Sequence, residues 1–236
     1  MLSAFRLAVE DTLAPDQRRA IGISLALALV LLLGLWLGIG IALDHARVAG
    51  IWWLDTLIEV AGNLAALLLA WMLFPAVTML ILGFFLDGIV AAVEKRRYPA
   101  LPPVRRLGFT TGLSSALRFL LLAVALNLLA LPLHLVPGIN LFIYYGLNGY
   151  LVGRGYFELV ALRRVDGGAA RAMWRRHRGR LVLAGVVIVF LLSLPLVNLI
   201  APVTAAAFML HVFEGLRRDE AAETFAGSRR TGLIED

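Results

Sequence analysis

Arg18 and Arg19 follow Pro15-Asp16-Gln17 at the mouth of a long uncharged stretch, and this is where the chain is best equipped to hold an anion. Free N–H groups and the positive dipole end of a helix attract anions, and guanidinium groups add charge-assisted, often bidentate hydrogen bonds. Two facts weigh against a dedicated site: the Asp16 carboxylate can satisfy the same N–H groups, and paired arginines serve equally well as anchors on lipid phosphates. Inside the apolar stretches, Asn140 and Asn198 lie beside prolines at Pro132, Pro137, Pro195 and Pro202. Their amides can donate to an oxyanion while the prolines free carbonyls and turn helix ends inward. The plainer role of these asparagines, as of Asn127 and Asn148, is to join helices by hydrogen bonds of about 1 kcal/mol. Asp87 and Glu214 are the carboxylates closest to apolar surroundings and are the candidates for proton coupling, with Glu94 and Glu158 at the same boundary. Glu158 stands four residues after Arg154 and fits an i,i+4 ion pair. His134, in the first proline turn, either titrates near neutral pH or stays neutral on a freed carbonyl.

Catalytic chemistry finds no support. There is no cysteine, which excludes disulfides, thiol catalysis and cysteine-bound metals, and the only lysine is Lys95, which excludes a P-loop. The four histidines are scattered, and Ser24, Ser114, Ser115 and Ser193 have no base at a telling distance. No enzyme activity, cofactor or metal is expected. A formal charge of +6 suits nucleic acid only on a folded soluble platform, which this chain lacks.

The elements that must position these groups are membrane helices. Hydrophobic residues make up 61% of the chain and the mean hydropathy is +0.86. Four long uncharged runs carry most of that apolarity. The first two, Ala20 to Leu43 and Val60 to Leu86, have 24 and 27 residues and are long enough to span with some tilt. Residues 119 to 153 and 181 to 213 are broken midway, by Leu-Pro-Leu-His-Leu-Val-Pro-Gly and by Leu-Pro-Leu-Val-Asn-Leu-Ile-Ala-Pro. Arms of about 13 to 15 residues reach about 20 Å, short of a core of about 30 Å, so each run reads as a hairpin that enters and returns. Full-depth, proline-turned helix pairs would give the same charge pattern. Of the 22 Lys and Arg, 21 share one side in either case, and the positive-inside rule makes that side the cytoplasm, with both termini.

The expected fold is an all-α integral membrane protein of two long spans and two proline-broken, half-penetrating hairpins. An N-terminal amphipathic helix, with Leu2, Phe5, Val9 and Leu13 on one face, should lie on the cytoplasmic surface, and Asp16 should cap the first span. That first span should be kept as an anchor and not cleaved as a leader. Trp52 and Trp53 suit the outer headgroup belt. Asp166, Gly167 and Gly168 should stop the helix that leaves the third run. Glycine pairs Gly34/Gly38 and Gly149/Gly153 offer close-packing faces, and Arg175-Arg176-His177-Arg178 can bind acidic lipid heads. Residues 1 to 218 form one membrane domain, and 219 to 236 a disordered cytoplasmic tail.

Pro15-Asp16-Gln17-Arg18-Arg19, the stretch from Phe84 to Pro99, Leu-Val-Pro-Gly-Ile-Asn at 135 to 140 and the turn from Leu194 to Pro202 together resemble the CysZ-type bacterial sulfate permeases. These belong with the etoposide-induced-protein domain family of integral membrane proteins. The resemblance implies two spans, two half-penetrating hairpins, a homo-oligomer and sulfate movement across the inner membrane. It also implies sulfate binding at a Pro-Gly-x-Arg-Arg-like element, matched here by Pro15, Arg18 and Arg19, with Asp16 in place of the glycine. Two functions remain open: permeation of sulfate or a related small anion, or a membrane-organising protein whose hairpins perturb or sort lipid without a substrate.

Overall fold

In the computed structural model, residues 1–45, 52–102, 104, 109–130 and 140–232 are described, and among them every regular element is helical. The helices are α1 Leu2–Thr12, α2 Pro15–His45, α3 Trp52–Arg97, α4 Phe109–Ala130, α5 Asn140–Ala161, α6 Gly167–Arg176, α7 Arg178–Ser193 and α8 Ala201–Gly232. They fall into two compact units, one of residues 15–86 and the other of residues 1–14 with 87–236. The long helices of the first two runs gather most of their contacts among themselves.

The unit of residues 15–86 holds α2 and the first part of α3. Pro15 opens α2 as its first residue, where a missing N–H costs nothing and φ is already helical. Asp16 therefore stands inside the first turn and not before it, and meets the helix dipole from within. Residues Pro15–Ile41 are long and apolar enough to cross a membrane, and most of their leucines are exposed. Gly40 faces Asn63 of α3, where an added Cβ would lie 3.1 Å from Oδ1. Gly34 and Gly38 meet nothing within 4 Å, so the close-packing face expected there is open.

In the other unit α4 stops at Ala130 and α5 starts at Asn140, while Pro132, Pro137 and His134 between them lie outside the described residues. The two helices have 22 residues each, longer than the expected arms, because helix continues past the charged boundary into 109–118 and 154–161. In the fourth run α7 stops at Ser193, a short 3-10 turn covers Val197–Leu199, and α8 begins at Ala201 with Pro202 in its first turn. Pro195, Leu196 and Val197 form a γ-turn: Val197 N donates to Pro195 O at 2.8 Å and Leu196 has φ of 66°. A leucine in that region is strained.

The core of this unit is the first half of α8, where residues 201–214 are all buried among α1, α5 and α7. α5 and α7 approach backbone to backbone through Gly149, Gly153 and Gly185, and an added Cβ on Gly153 would sit 2.8 Å from Leu181 O. Asp166 caps α6, its Oδ1 accepting from Gly168 N at 2.7 Å and Ala169 N at 2.9 Å. It thus starts the next helix as well as following the end of α5. α8 runs on past residue 219 to Gly232. Its Asp219 and Glu220 pair with Arg180, and with Arg176 and His177, which gives that stretch a reason to stay helical.

Candidate functional site

Arg18 and Arg19 project from the first turns of α2, exposed and, among the described residues, without a carboxylate partner. Among the described residues, several other arginines are paired with carboxylates. Arg96 and Arg97 hold Asp11, Arg163 and Arg164 hold Glu94, Arg154 holds Glu158 at 3.0 Å, and Arg217 holds Glu214. The unit of residues 15–86 therefore presents two uncompensated guanidiniums at a helix N-terminus, the arrangement that suits a small oxyanion.

The remaining predicted residues belong to the other unit, with Pro132 and Pro137 outside the described residues. Asn140 is the exposed first residue of α5, and Pro195 is exposed in the turn before α8 while Pro202 is buried at its start. Asn198 sits in the 3-10 turn, where its N–H donates to Leu194 O at 2.9 Å; its side-chain Oδ1 is buried without a partner. Asn127 and Asn148 do not join helices. Each amide folds back on its own helix, to Ala123 O at 2.8 Å and Tyr144 O at 2.9 Å, because the carbonyl one turn earlier is the nearest acceptor.

The two coupling candidates differ sharply. Asp87 is exposed and only touches Arg163 at 3.3 Å. Glu214 is 1% exposed; its Oε2 accepts from Arg217 Nε at 3.0 Å and Nη2 at 2.8 Å, while Oε1 is buried with no partner. Glu94, which drew less notice in the sequence, is as deeply placed, gripped by Arg163 Nη2 at 3.1 Å and Arg164 Nη2 at 2.9 Å.

A relay joining three distant segments was not foreseen. Asp11 of α1 is buried, with Oδ1 on Arg97 Nε at 2.9 Å and Arg96 Nη2 at 3.1 Å, and with Oδ2 on His211 Nε2 at 2.8 Å. His211 Nδ1 meets the Tyr98 hydroxyl at 2.7 Å. Burial pushes the Tyr98 phenol above its ordinary pKa, so it stays protonated and donates to Nδ1, leaving Nε2–H to donate to Asp11. The bond to Asp11 holds the Arg97 guanidinium more firmly protonated than usual. Beside this relay Thr12 Oγ1 bonds Thr204 Oγ1 at 3.0 Å and the Phe5 ring meets Phe208 edge-on.

The relay makes the polar side of α1 the one that packs on protein. Ala8, Asp11 and Thr12 face α8, whereas Leu2, Val9 and Leu13 of the apolar stripe are exposed. The only sequence signal was the pair Asp11-Thr12 at the end of an amphipathic segment, with nothing to connect it to His211.

Among curated proteins the chain has no match. A family model does match: it covers residues 4–202, from within α1 to the second residue of α8, and so takes in Arg18, Arg19, Asn140 and Asn198 while stopping short of His211 and Glu214. By that match over most of its length, the chain belongs to the membrane-protein family described as sulfate transporter CysZ/etoposide-induced protein 2.4.

Proposed function

We propose that the protein is a permeation protein of the bacterial inner membrane that passes sulfate or a related small inorganic anion toward the cytoplasm and performs no catalysis. The family supports a sulfate-transport role. The observation that carries the reading is the exposed pair Arg18 and Arg19, uncompensated at the start of the long apolar helix α2. There the helix dipole and two guanidiniums attract an anion from the cytoplasmic side.

In this reading α2 and the 60–86 part of α3 span the bilayer, and the breaks at 131–139 and 194–200 are the tips of two hairpins that dip in from the cytoplasm. Both termini are cytoplasmic, and copies assemble so that the hairpins' unfinished surfaces are covered. Asn140, Asn198 and the proline-freed helix ends line the path, and Glu214, buried with one idle oxygen, outranks the solvated Asp87 as a coupling group.

Radiolabelled sulfate flux into proteoliposomes tests the function. Flux is expected under a sulfate gradient or an imposed proton gradient, and its absence under both would favour the membrane-organising alternative. Replacing Arg18 and Arg19 together with Gln should abolish sulfate binding by the purified protein while its thermal unfolding is unchanged. Undiminished binding would remove that site. The chain has no cysteine, so single cysteines placed in 154–180 report sidedness without background. Labelling from the periplasm would overturn the hairpins.

A further inference from the structure

One stripe of α5 carries Gly146, Tyr150, Arg154 and Glu158, four residues apart, so they stack on a single helix face over about 18 Å. Two clefts open along this stripe. The first, about 200 Å³, lies at the Glu158 end and is lined by Arg154, Arg171 and Arg175 over a floor of Phe119, Phe157 and Trp174. The second, about 540 Å³, lies at the Gly146 end and is lined by Leu122, Leu126, Leu147 and Val182, with Arg178 at its edge. Tyr150 is the hinge between them: its ring lines the second cleft, packs edge-on against Trp174 of the first, and takes the Arg178 guanidinium at 5.3 Å.

The charges in this pair of clefts do not cancel. Arg154 is matched by Glu158 at 3.0 Å. Arg171 and Arg175 are exposed and, among the described residues, have no carboxylate, and Arg178 has only the Tyr150 ring. Three guanidiniums therefore remain uncompensated beside an apolar groove that is open rather than filled by side chains. A free inorganic anion would use the first cleft and leave the groove empty. A soluble apolar ligand would use the groove and leave the arginines unanswered.

We propose that this face of α4, α5, α6 and α7 is a binding site for one anionic phospholipid, its phosphate held by Arg171, Arg175 and Arg178 and an acyl chain laid along the groove past Gly146. The ligand answers both halves of the site at once: phosphate oxygens take charge-assisted bonds from the guanidiniums, and the chain buries apolar surface against Leu122, Leu126, Leu147 and Val182. Trp174 and Tyr150 stand at the junction of head and chain, where amphipathic rings sit best. None of the residues proposed for the sulfate path takes part, so the site stands or falls apart from the transport reading.

The test uses the full-length purified protein and native mass spectrometry of lipids retained from mixed micelles of phosphatidylglycerol and phosphatidylcholine. Wild-type protein should retain phosphatidylglycerol at least tenfold over phosphatidylcholine. Arg171→Gln with Arg175→Gln, both exposed and therefore harmless to packing, should reduce that preference at least fivefold. Gly146→Phe places its Cβ in open space, with nothing within 4 Å, and its ring should block the groove and lower phosphatidylglycerol retention. Inorganic phosphate at matched concentration should compete weakly. Equal retention of the two lipids by wild-type protein, or an unchanged preference in the double arginine variant, would overturn the site. Full displacement by inorganic phosphate with no effect of Gly146→Phe would make the cleft a plain oxyanion site and refute the lipid.

Discussion

Adding one methyl group at Gly185 drives a carbon atom into the backbone of α5. The new Cβ would collide with the Gly149 carbonyl oxygen and lie 2.7 Å from both N and Cα of Gly153, whereas ordinary contact begins at 3.4 Å. The obstructing atoms are backbone, so no side-chain rotation relieves them, and α5 and α7 must part by more than about 0.7 Å along their shared face. Overpacking costs about 1–3 kcal/mol, and a backbone obstacle places Gly185→Ala at about 3 kcal/mol. For a chain of this size that lowers the unfolding midpoint by roughly 6–12 °C. Gly153→Ala, whose Cβ would meet Leu181 O at 2.8 Å and Gly185 Cα at 3.2 Å, should lose somewhat less. Gly215→Ala is the control. Its Cβ meets nothing within 4 Å, and alanine is favoured over glycine inside a helix by about 0.5–1 kcal/mol, so its midpoint should hold or rise. The assay is thermal unfolding of the purified protein in detergent, followed by tryptophan fluorescence. If Gly185→Ala melts at or above the wild-type temperature, α5 and α7 do not cross as described, and the placement of Arg154, Tyr150 and Gly146 along that crossing fails with it.

Glu94→Gln should cost about 3 kcal/mol by removing the buried counter-charge of Arg163 and Arg164, which are 11% and 7% exposed, whereas Asp87→Asn, at an exposed carboxylate, should cost less than about 1 kcal/mol; comparable losses in the same melting assay would refute the difference in burial. The Tyr98 phenol is raised by burial above 10.0, so its contribution is complete below about pH 10 and is lost as pH rises from there toward its value in the folded protein. Melting profiles between about pH 9 and 11 should therefore fall less steeply for Tyr98→Phe than for wild type, and parallel profiles would show that the phenol is not buried. Leu196→Gly should stabilise by about 1 kcal/mol, because glycine relieves the positive φ and a side chain 82% exposed loses little packing; a lower midpoint would mean that the leucine is held in place by contacts.

The parts of the fold that could be read in the sequence are those whose cause is local. The end of α7 at Ser193 followed from Pro195 two residues on, although Pro75 stands inside α3 without ending it. Arg154 and Glu158 are one helical turn apart and needed no third residue to pair. Glycine spacing told less. Gly149 and Gly153 meet α7 while Gly34 and Gly38, with the same spacing, meet nothing, because spacing gives the face and not the partner. Gly185, which completes the α5–α7 crossing, has Leu181 and Val189 four residues to either side and so carried no small-xxx-small pattern.

The candidate site shows the same limit more severely, and α1 shows why. In water an amphipathic helix buries its apolar face in the protein, whereas Leu2, Phe5, Val9 and Leu13 were expected on a helix lying on the membrane surface. Here Leu2, Val9 and Leu13 are exposed and Asp11 and Thr12 are buried. For a chain of a membrane family the rule inverts, because lipid solvates leucine as well as a protein core does but offers a carboxylate nothing. The polar face must then find its partners inside the protein. Asp11 finds Arg96 and Arg97 at the end of α3 and His211 within α8. Those partners are 85 to 200 positions away, beyond the reach of any periodicity. Buried polarity, more than apolar contact, is what fixes α1 on α8. Disconnecting Asp11 should accordingly release α1 while leaving the glycine-packed crossing of α5 and α7 in place.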